Sequence, residues 1–358
     1  MTEQTSGDDT LSRRTVERMV HHLQPSWEVR AVERSAHGTD FVAVLDVDAP
    51  DGGRRVVLKA STAAWVAPET ARAEPRLLAL VGKRTDIPVP AVYGYCDDHP
   101  ELPAPFFLTN YVRGHNHEHD LPARSARERI LRDAGLHLAE LHALDILSPD
   151  RVGRVGVQDE ELTVLDTDEH ASRRSFHDWL LANYEETVDS LADGGYFAHL
   201  ADDPDRFADL VPDLRAFLRE RLPALPDSNP PVVCHNDYRY GNLLVERETG
   251  VTRAVLDWGI LTAGAPAHNL AKTESMLLTP DEDDPDRTAA LRRRFRSAYA
   301  EAREGWTFDT DTRERMDLYR FLCRLDAMAC LPLWHEDASP AERDERAAEH
   351  RAFVRRYL

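Results

Sequence analysis

The sequence predicts an α+β protein of two lobes, a β-rich N-terminal lobe over residues 10–112 and a mainly helical C-terminal lobe over residues 113–358. Three observations predict it. Up to Val112 the apolar residues fall in short, mostly alternating runs, the pattern of half-buried strands. Beyond Arg113-Gly114 they recur at helical spacing. The chain of 358 residues exceeds what one core of about 150 residues needs.

In the first lobe, residues 11–23 read as a short amphipathic helix. Residues 27–32 are the first strand, and Phe41, Val42, Val44, Leu45 and Val47 pattern the second over residues 40–47. Ala49-Pro50-Asp51-Gly52-Gly53 is a turn signal, and residues 55–60 are the partner strand, ending in Val56-Val57-Leu58-Lys59. A helix follows near residues 74–81, with Leu77, Leu78, Leu80 and Val81 apolar. Ile87-Pro88-Val89-Pro90 breaks the chain, and residues 91–95 and 106–112 give two more strands.

In the second lobe, residues 124–144 carry Ile130, Leu131, Ala134, Leu138 and Leu141 on one helical face. Residues 176–191, 207–222, 268–278, 289–302, 313–333 and 341–357 also read as helices. Short strand-like runs stand at 232–234, 243–245 and 254–256. Acidic stretches with proline, at 201–205 and 280–286, read as loops, and no repeat of 20–50 residues is present.

Composition excludes several classes. The formal net charge is -20, and 41 of the 44 basic residues are arginine; Lys59, Lys83 and Lys272 are the three lysines. Such a surface repels nucleic acid and anionic membrane. It suits solubility at high salt, where self-repulsion is screened, so a salt-adapted protein is expected. No apolar run approaches the ~20 residues of a membrane span. The polar, acidic residues 1–9 do not read as a signal peptide and are expected to form a disordered tail. Cys96, Cys234, Cys323 and Cys330 form no CxxC pair and read as reduced core thiols. A cytoplasmic monomer or homodimer is expected.

The segment with chemistry is His235-Asn236-Asp237-Tyr238-Arg239-Tyr240-Gly241-Asn242. Phosphoryl transfer needs groups that hold phosphates, oxygen ligands for Mg²⁺, and a carboxylate that orients the acceptor hydroxyl. Asp237 and Asn242 are five apart between strand-like runs, a spacing that wraps a tight loop, and Gly241 permits a bend within it. A hairpin over 243–256 would return the chain beside the loop and deliver Asp257, a hard oxygen ligand.

This loop, followed by Leu243-Leu244-Val245 and then Ala254-Val255-Leu256-Asp257-Trp258, resembles the aminoglycoside phosphotransferase-like and choline kinase-like small-molecule kinases. The Asp-Tyr-Arg wording is nearest to the branch associated with acyl-CoA dehydrogenases. The resemblance, over about residues 30–280, implies a bilobal protein-kinase-like fold that uses ATP and Mg²⁺ to phosphorylate a small-molecule hydroxyl acceptor. By the same resemblance Asp237 is the catalytic base, and Asn242 and Asp257 are metal ligands. Lys59 holds phosphates, with Glu74 as its ion-pair partner or Glu69 as the alternative. Asn110, Tyr111 and Val112, before Gly114, form the hinge whose backbone meets the adenine. Leu138-Ala139-Glu140-Leu141-His142-Ala143-Leu144 resembles the family's first long C-lobe helix. His235 and Asn269 support the loop, and Arg239 touches substrate or phosphate, or pairs with a neighbouring acid.

The chain departs from the family pattern in four places. Asn236 stands where glycine is usual, and the phosphate-covering loop near residues 35–40 contains only Gly38. Gly259 follows Asp257-Trp258 where this branch has an acid. Gly264-Ala265-Pro266-Ala267-His268-Asn269-Leu270-Ala271 lacks both acids of the usual Gly-Asp-Pro-x-x-Asp-Leu-Ala. A second reading is therefore a catalytically impaired, kinase-like nucleotide-binding module. A third is a metalloprotein built on His115, His117 and His119, although an exposed inter-lobe loop is the favoured reading of that segment. Lys272 is expected in a salt bridge on a helix surface, and Trp179, Tyr184, Trp306 and Trp334 on helical core faces.

Overall fold

A computed structural model describes residues 11–35, 40–61, 66–148, 150–225, 230–279 and 284–358. The expected tail and residues 36–39 of the glycine-poor loop, Gly38 included, lie outside the described residues.

The N-lobe begins with α1 (Arg13–Leu23), whose first turn is capped by the Ser12 hydroxyl. Strands β1 (Glu28–Arg34), β2 (Phe41–Ala49), β3 (Gly52–Ala60), β4 (Val92–Cys96) and β5 (Phe106–Asn110) form an antiparallel sheet in the order β1-β2-β3-β5-β4. Gly52, at φ +125°, makes the β2–β3 turn, and the register runs from Ala49↔Gly52 to Phe41↔Ala60. Alternation in β2 and β3 buries Phe41, Leu45, Val56 and Leu58 with Val16, Met19 and Val20 of α1. Two helices follow β3, α2 (Pro68–Ala71) and α3 (Ala73–Arg84). Leu77, Leu78 and Val81 of α3 join the apolar cluster of the C-lobe. The larger core therefore joins α3 to Tyr238, Tyr240 and Trp258.

The C-lobe contains β6 (His115–Asn116), α4 (Arg124–His142), β7 (Gly153–Gln158), β8 (Glu161–Val164), α5 (Phe176–Ser190), α6 (Val211–Arg221), β9 (Val232–Cys234), β10 (Leu243–Val245), β11 (Thr252–Val255) and β12 (Thr262–Gly264). It ends in α7 (Pro266–Leu278), α8 (Pro285–Ala302), α9 (Thr310–Ala329), α10 (Leu331–Trp334) and α11 (Pro340–Val354). Two small antiparallel sheets, β11-β10-β6 and β8-β7-β12-β9, flank the loop between β9 and β10. Glu274 of α7 is fully buried and pairs with Arg292 and Arg296 of α8 and Arg320 of α9 at 2.9–3.2 Å. Removing any acid that neutralises three guanidinium groups would strand them, so Glu274 locks three helices in one arrangement.

Several expectations change. The strands β6, β7, β8 and β12 were not expected. The helix expected over residues 313–333 ends at Ala329, and Pro332 lies in the separate α10. Trp334 is exposed rather than core-facing, whereas Tyr184 is buried. All four cysteines are free. No helix of the described residues is long and apolar enough to cross a membrane.

Candidate active site

The loop from His235 to Asn242 is pinned from three sides. His235 is fully buried. Its Nδ1 accepts from the Asp237 amide at 3.2 Å, and its Nε2 donates to the Leu256 carbonyl at 3.1 Å. Burial lowers its pKa, so the ring is a neutral brace between the loop and the returning hairpin. Asn236 has φ +63°, the left-handed region that asparagine tolerates better than most side chains. This accounts for asparagine where glycine is usual. Its Nδ2 also donates to Thr262 Oγ1 at 2.8 Å and to the Ile260 carbonyl at 3.0 Å, bonds a glycine cannot make. Asn269 Oδ1 lies 3.4 Å from the His235 amide nitrogen and 3.0 Å from His142 Nε2. An uncharged amide thus supports the loop where the family pattern has an acid.

Asp237 and Asn242 meet at the mouth of this loop. Asn242 Nδ2 donates to Asp237 Oδ2 at 2.5 Å and to the Asp237 carbonyl at 3.0 Å. Arg239 Nε approaches Asp237 Oδ2 at 3.4 Å, while Arg239 Nη1 donates to Glu118 Oε2 at 2.6 Å. Of the two open readings for Arg239, pairing with acids is the one seen. The bend expected at Gly241 has a different cause: its φ is ordinary, and a Cβ there would collide with Glu118 and Arg239. Gly241 makes room for their ion pair.

Asp257 arrives on the far end of the β10–β11 hairpin, where the Leu256 amide donates to the Asn242 carbonyl at 2.8 Å. Asp257 has φ +58°, and its Oδ1 lies 3.2 Å from Lys59 Nζ across 198 residues. Lys59 also contacts Glu74 Oε2 at 2.8 Å and Asp40 Oδ2 at 3.3 Å. The ion pair forms with Glu74, on the first turn of α3, and not with Glu69 on α2. Burial alone would lower the Lys59 ammonium, but Glu74, Asp257 and Asp40 outweigh it and raise its pKa. The Lys59 charge in turn holds Asp257 below the usual carboxylate range. Glu74 Oε1 accepts from the Trp258 amide at 3.3 Å, so one buried carboxylate fixes both the lysine and the residue after Asp257.

In the segment expected as the hinge, two backbone amides are engaged within the sheet. The Asn110 amide donates to Ala91 O at 2.9 Å and the Tyr111 amide to Arg55 O at 3.2 Å. Both amides are spent inside the sheet. Among the described residues the Val112 amide has no backbone partner.

Sequence reading missed Arg154. Pairing of β7 with β12 sets Arg154 opposite Thr262 and carries it into the wall of a cavity of about 280 Å³. Lys59, Glu74, Asp257 and Thr70 line the same cavity. The Arg154 side chain has no ion-pair or hydrogen-bond partner among the described residues, and burial alone lowers its pKa. A single arginine in a loop-like stretch gave no signal; only the strand pairing reveals it.

On the other side of the loop, Lys272 Nζ lies 3.2 Å from Asp326 Oδ2, which also accepts from Tyr184 OH at 2.9 Å. Lys272 is largely buried, not a surface salt bridge. The charge of Asp237 helps to raise the Lys272 ammonium, which puts this polar cluster within electrostatic reach of the loop. The histidine segment also differs from an exposed loop: His117 is buried.

The fold recurs in solved structures. A candidate aminoglycoside phosphotransferase from Ralstonia eutropha superposes with a TM-score of 0.59 at 15% identity, covering 95% of this chain and 96% of that one. A thermostable mutant of the aminoglycoside phosphotransferase APH(4)-Ia, in ternary complex with ADP and hygromycin B, gives 0.58 at 15% identity, covering 94% and 97%. A microcompartment-associated aminopropanol kinase gives 0.53 at 14%, covering 94% of each chain. At these identities the likeness is one of fold. No curated protein matches the chain. The family model described as "Phosphotransferase enzyme family" matches residues 31–319. With the bilobal fold, the braced loop and the Lys59–Glu74–Asp257 cluster in place, the chain belongs to this phosphotransferase family.

Proposed function

We propose that the protein is a kinase that uses ATP and Mg²⁺ to phosphorylate a hydroxyl of a small molecule. The observation that carries the reading is that Lys59 meets Asp257 across 198 residues while Asn242 holds Asp237, with the Leu256 amide bonded to the Asn242 carbonyl between the two pairs. Lys59 holds the phosphates; its ammonium is already positioned by Glu74. The Val112 amide and the carbonyls of Asn110 and Tyr111 face the adenine. Asp237 orients the acceptor hydroxyl and takes its proton, while Arg239 and Asn242 keep the carboxylate aimed.

The donor set fits the metal. Asn242 and Asp257 offer hard oxygens, and only Oδ1 of Asp257 is engaged by Lys59. These two residues would hold Mg²⁺, which offsets phosphate charge when bound. Amino alcohols and aminoglycosides head the list of acceptors to screen, because similar folds are named for them. The cytoplasm is the proposed compartment, in keeping with four free thiols.

The test is release of ADP from Mg-ATP across a library of small alcohols. Asp237→Asn is expected to lower turnover by about 10²–10⁴-fold while nucleotide binding persists. Undiminished turnover in that variant would reject the assignment. Asn269, which is uncharged and whose Nδ2 has no partner among the described residues, favours a second reading: a nucleotide-binding module without turnover. Nucleotide binding with no transfer to any acceptor would select it.

A further inference from the structure

The linker between the lobes carries a cluster that the kinase reading does not use. Strand β6 pairs with the edge of β10 through Val245↔His115 and Leu244↔Asn116. His115 and His117, two apart in extended chain, fall on one side. Their ring centroids are 4.3 Å apart, edge to face. The chain then turns back, and Asp120 Oδ1 lies 2.8 Å from His117 Nδ1 and 3.1 Å from His115 Nε2. One donor atom from each of the three residues lies within 4.8 Å of the others. Donors on a tetrahedral Zn²⁺ with bonds of roughly 2.0–2.1 Å stand about 3.4 Å apart, so small side-chain rotations suffice.

The cluster is partly enclosed. His117 keeps only 4% of its side-chain surface exposed, and among the described residues its Nε2 has no hydrogen-bond partner. Nδ1, the nitrogen that faces Asp120, is the one this ring would offer to an ion.

We propose that His115, His117 and Asp120 form a binding site for a divalent transition-metal ion of the zinc class. Two imidazoles and one carboxylate select such an ion over Mg²⁺, which prefers an all-oxygen shell. The third histidine of the motif, His119, is outside the cluster. The competitor is Arg247, whose Nη2 lies 2.9–3.0 Å from the His115 ring nitrogens and 3.8 Å from Asp120 Oδ2. Its side chain is 66% exposed, so it can swing into solvent when the ion enters. The site sits where an ion would matter. Asn116 Nδ2 donates to the Gly241 carbonyl, and Glu118 pairs with Arg239 at 2.6 Å. An ion that closes the 115–120 turn would also fix the two residues that brace the catalytic loop.

The test is titration of the full, untagged, chelator-treated chain with ZnCl₂ by calorimetry, with CoCl₂ as a spectroscopic probe. One equivalent of Zn²⁺ is expected to bind, with cobalt d–d absorption from an imidazole- and carboxylate-ligated ion and a raised thermal midpoint. His117→Ala and Asp120→Asn should each weaken binding by more than about tenfold. His119→Ala should leave it unchanged, and Arg247→Ala should tighten it. His115→Gln, at the partly exposed ligand, serves if His117→Ala does not fold. Absence of stoichiometric Zn²⁺ binding overturns the proposal. So does binding that Asp120→Asn and His115→Gln leave intact, or that His119→Ala abolishes. None of these readouts depends on kinase activity.

Discussion

Lys59 Nζ donates to Glu74 Oε2 at 2.8 Å inside a site where Asp40 and Asp257 also face the ammonium. Three carboxylates around one cation are tolerable only while the cation is present. Lys59→Met leaves buried Glu74 without its partner and should cost roughly 1–3 kcal/mol of stability, less than a fully buried pair because Glu74 can take up a proton. It should also weaken Mg-ATP binding by about tenfold or more. Lys59→Arg should not restore binding, since a planar fork replaces a compact charge. Calorimetric ATP titration of the three proteins checks this; wild-type affinity in Lys59→Met would rule out the phosphate-holding role.

Arg154 is a guanidinium in the cleft wall with no acid committed to it among the described residues. Lys59 has already drawn in Asp40, Glu74 and Asp257. An arginine with no partner among the described residues, beside the lysine proposed to hold phosphates, is set to meet an anion. Arg154→Met is expected to weaken ATP binding by about tenfold and AMP binding little. Equal losses for both nucleotides would show that the residue serves the fold and not the terminal phosphates.

Asn236 combines a strained backbone with three side-chain bonds, the two shorter ones to Thr262 and Ile260. Asn236→Gly relaxes the left-handed φ but deletes the bonds to Thr262 and Ile260, and should cost about 1 kcal/mol. Asn236→Val keeps neither advantage, and should cost about 2–4 kcal/mol with a large fall in turnover. Urea unfolding of both variants decides; a valine variant as stable as the glycine variant would remove the backbone account.

These cases show what was legible in the sequence. The loop at 235–242 was legible because its parts are contiguous, and Lys59 because it ends an alternating strand. The departure at Asn236 could be seen but not explained, since only the fold reveals φ +63° at that position. The β7–β8 hairpin was missed although Val155, Val157, Leu162 and Val164 alternate. Gly153 and Gly156 dilute the pattern, and its partner β12 is Thr262-Ala263-Gly264, a run with little strand preference of its own. Tertiary pairing makes both into strands, and Arg154 went unnoticed with them. The contact of Asp120 with His115 and His117 was hidden for the same reason: spacing gives the shared side of the two histidines but not the turn that brings the carboxylate back.

A net charge of -20 sets the response to salt. Acids on the surface repel one another, and added salt screens exposed charges more than buried pairs such as Lys59–Glu74. The thermal midpoint should therefore rise by several degrees between low and molar KCl. A midpoint that falls steadily with KCl would contradict the salt-adapted reading.

His142 gives the pH dependence its sign. The ring is buried on α4, with Nε2 donating to Asn269 Oδ1 at 3.0 Å and Nδ1 accepting from Tyr299 OH at 2.8 Å. Burial pushes its pKa down to about 3. In the unfolded chain the value returns to roughly 6.5. Between these values the unfolded state binds a proton that the folded state refuses, so stability is complete above about pH 6.5 and falls as pH drops. At about pH 5 the loss is on the order of 2 kcal/mol from this ring. His268, also held at about 3 by burial, acts in the same direction. The urea midpoint should therefore fall between about pH 7 and pH 5, and His142→Gln should show a smaller fall because glutamine does not titrate. Asn269 also reaches the His235 amide, so protonation of His142 should loosen the 235–242 loop. Nucleotide-dependent turnover should then decline ahead of global unfolding on the acid side. Identical pH slopes in wild type and His142→Gln would remove His142 as the source.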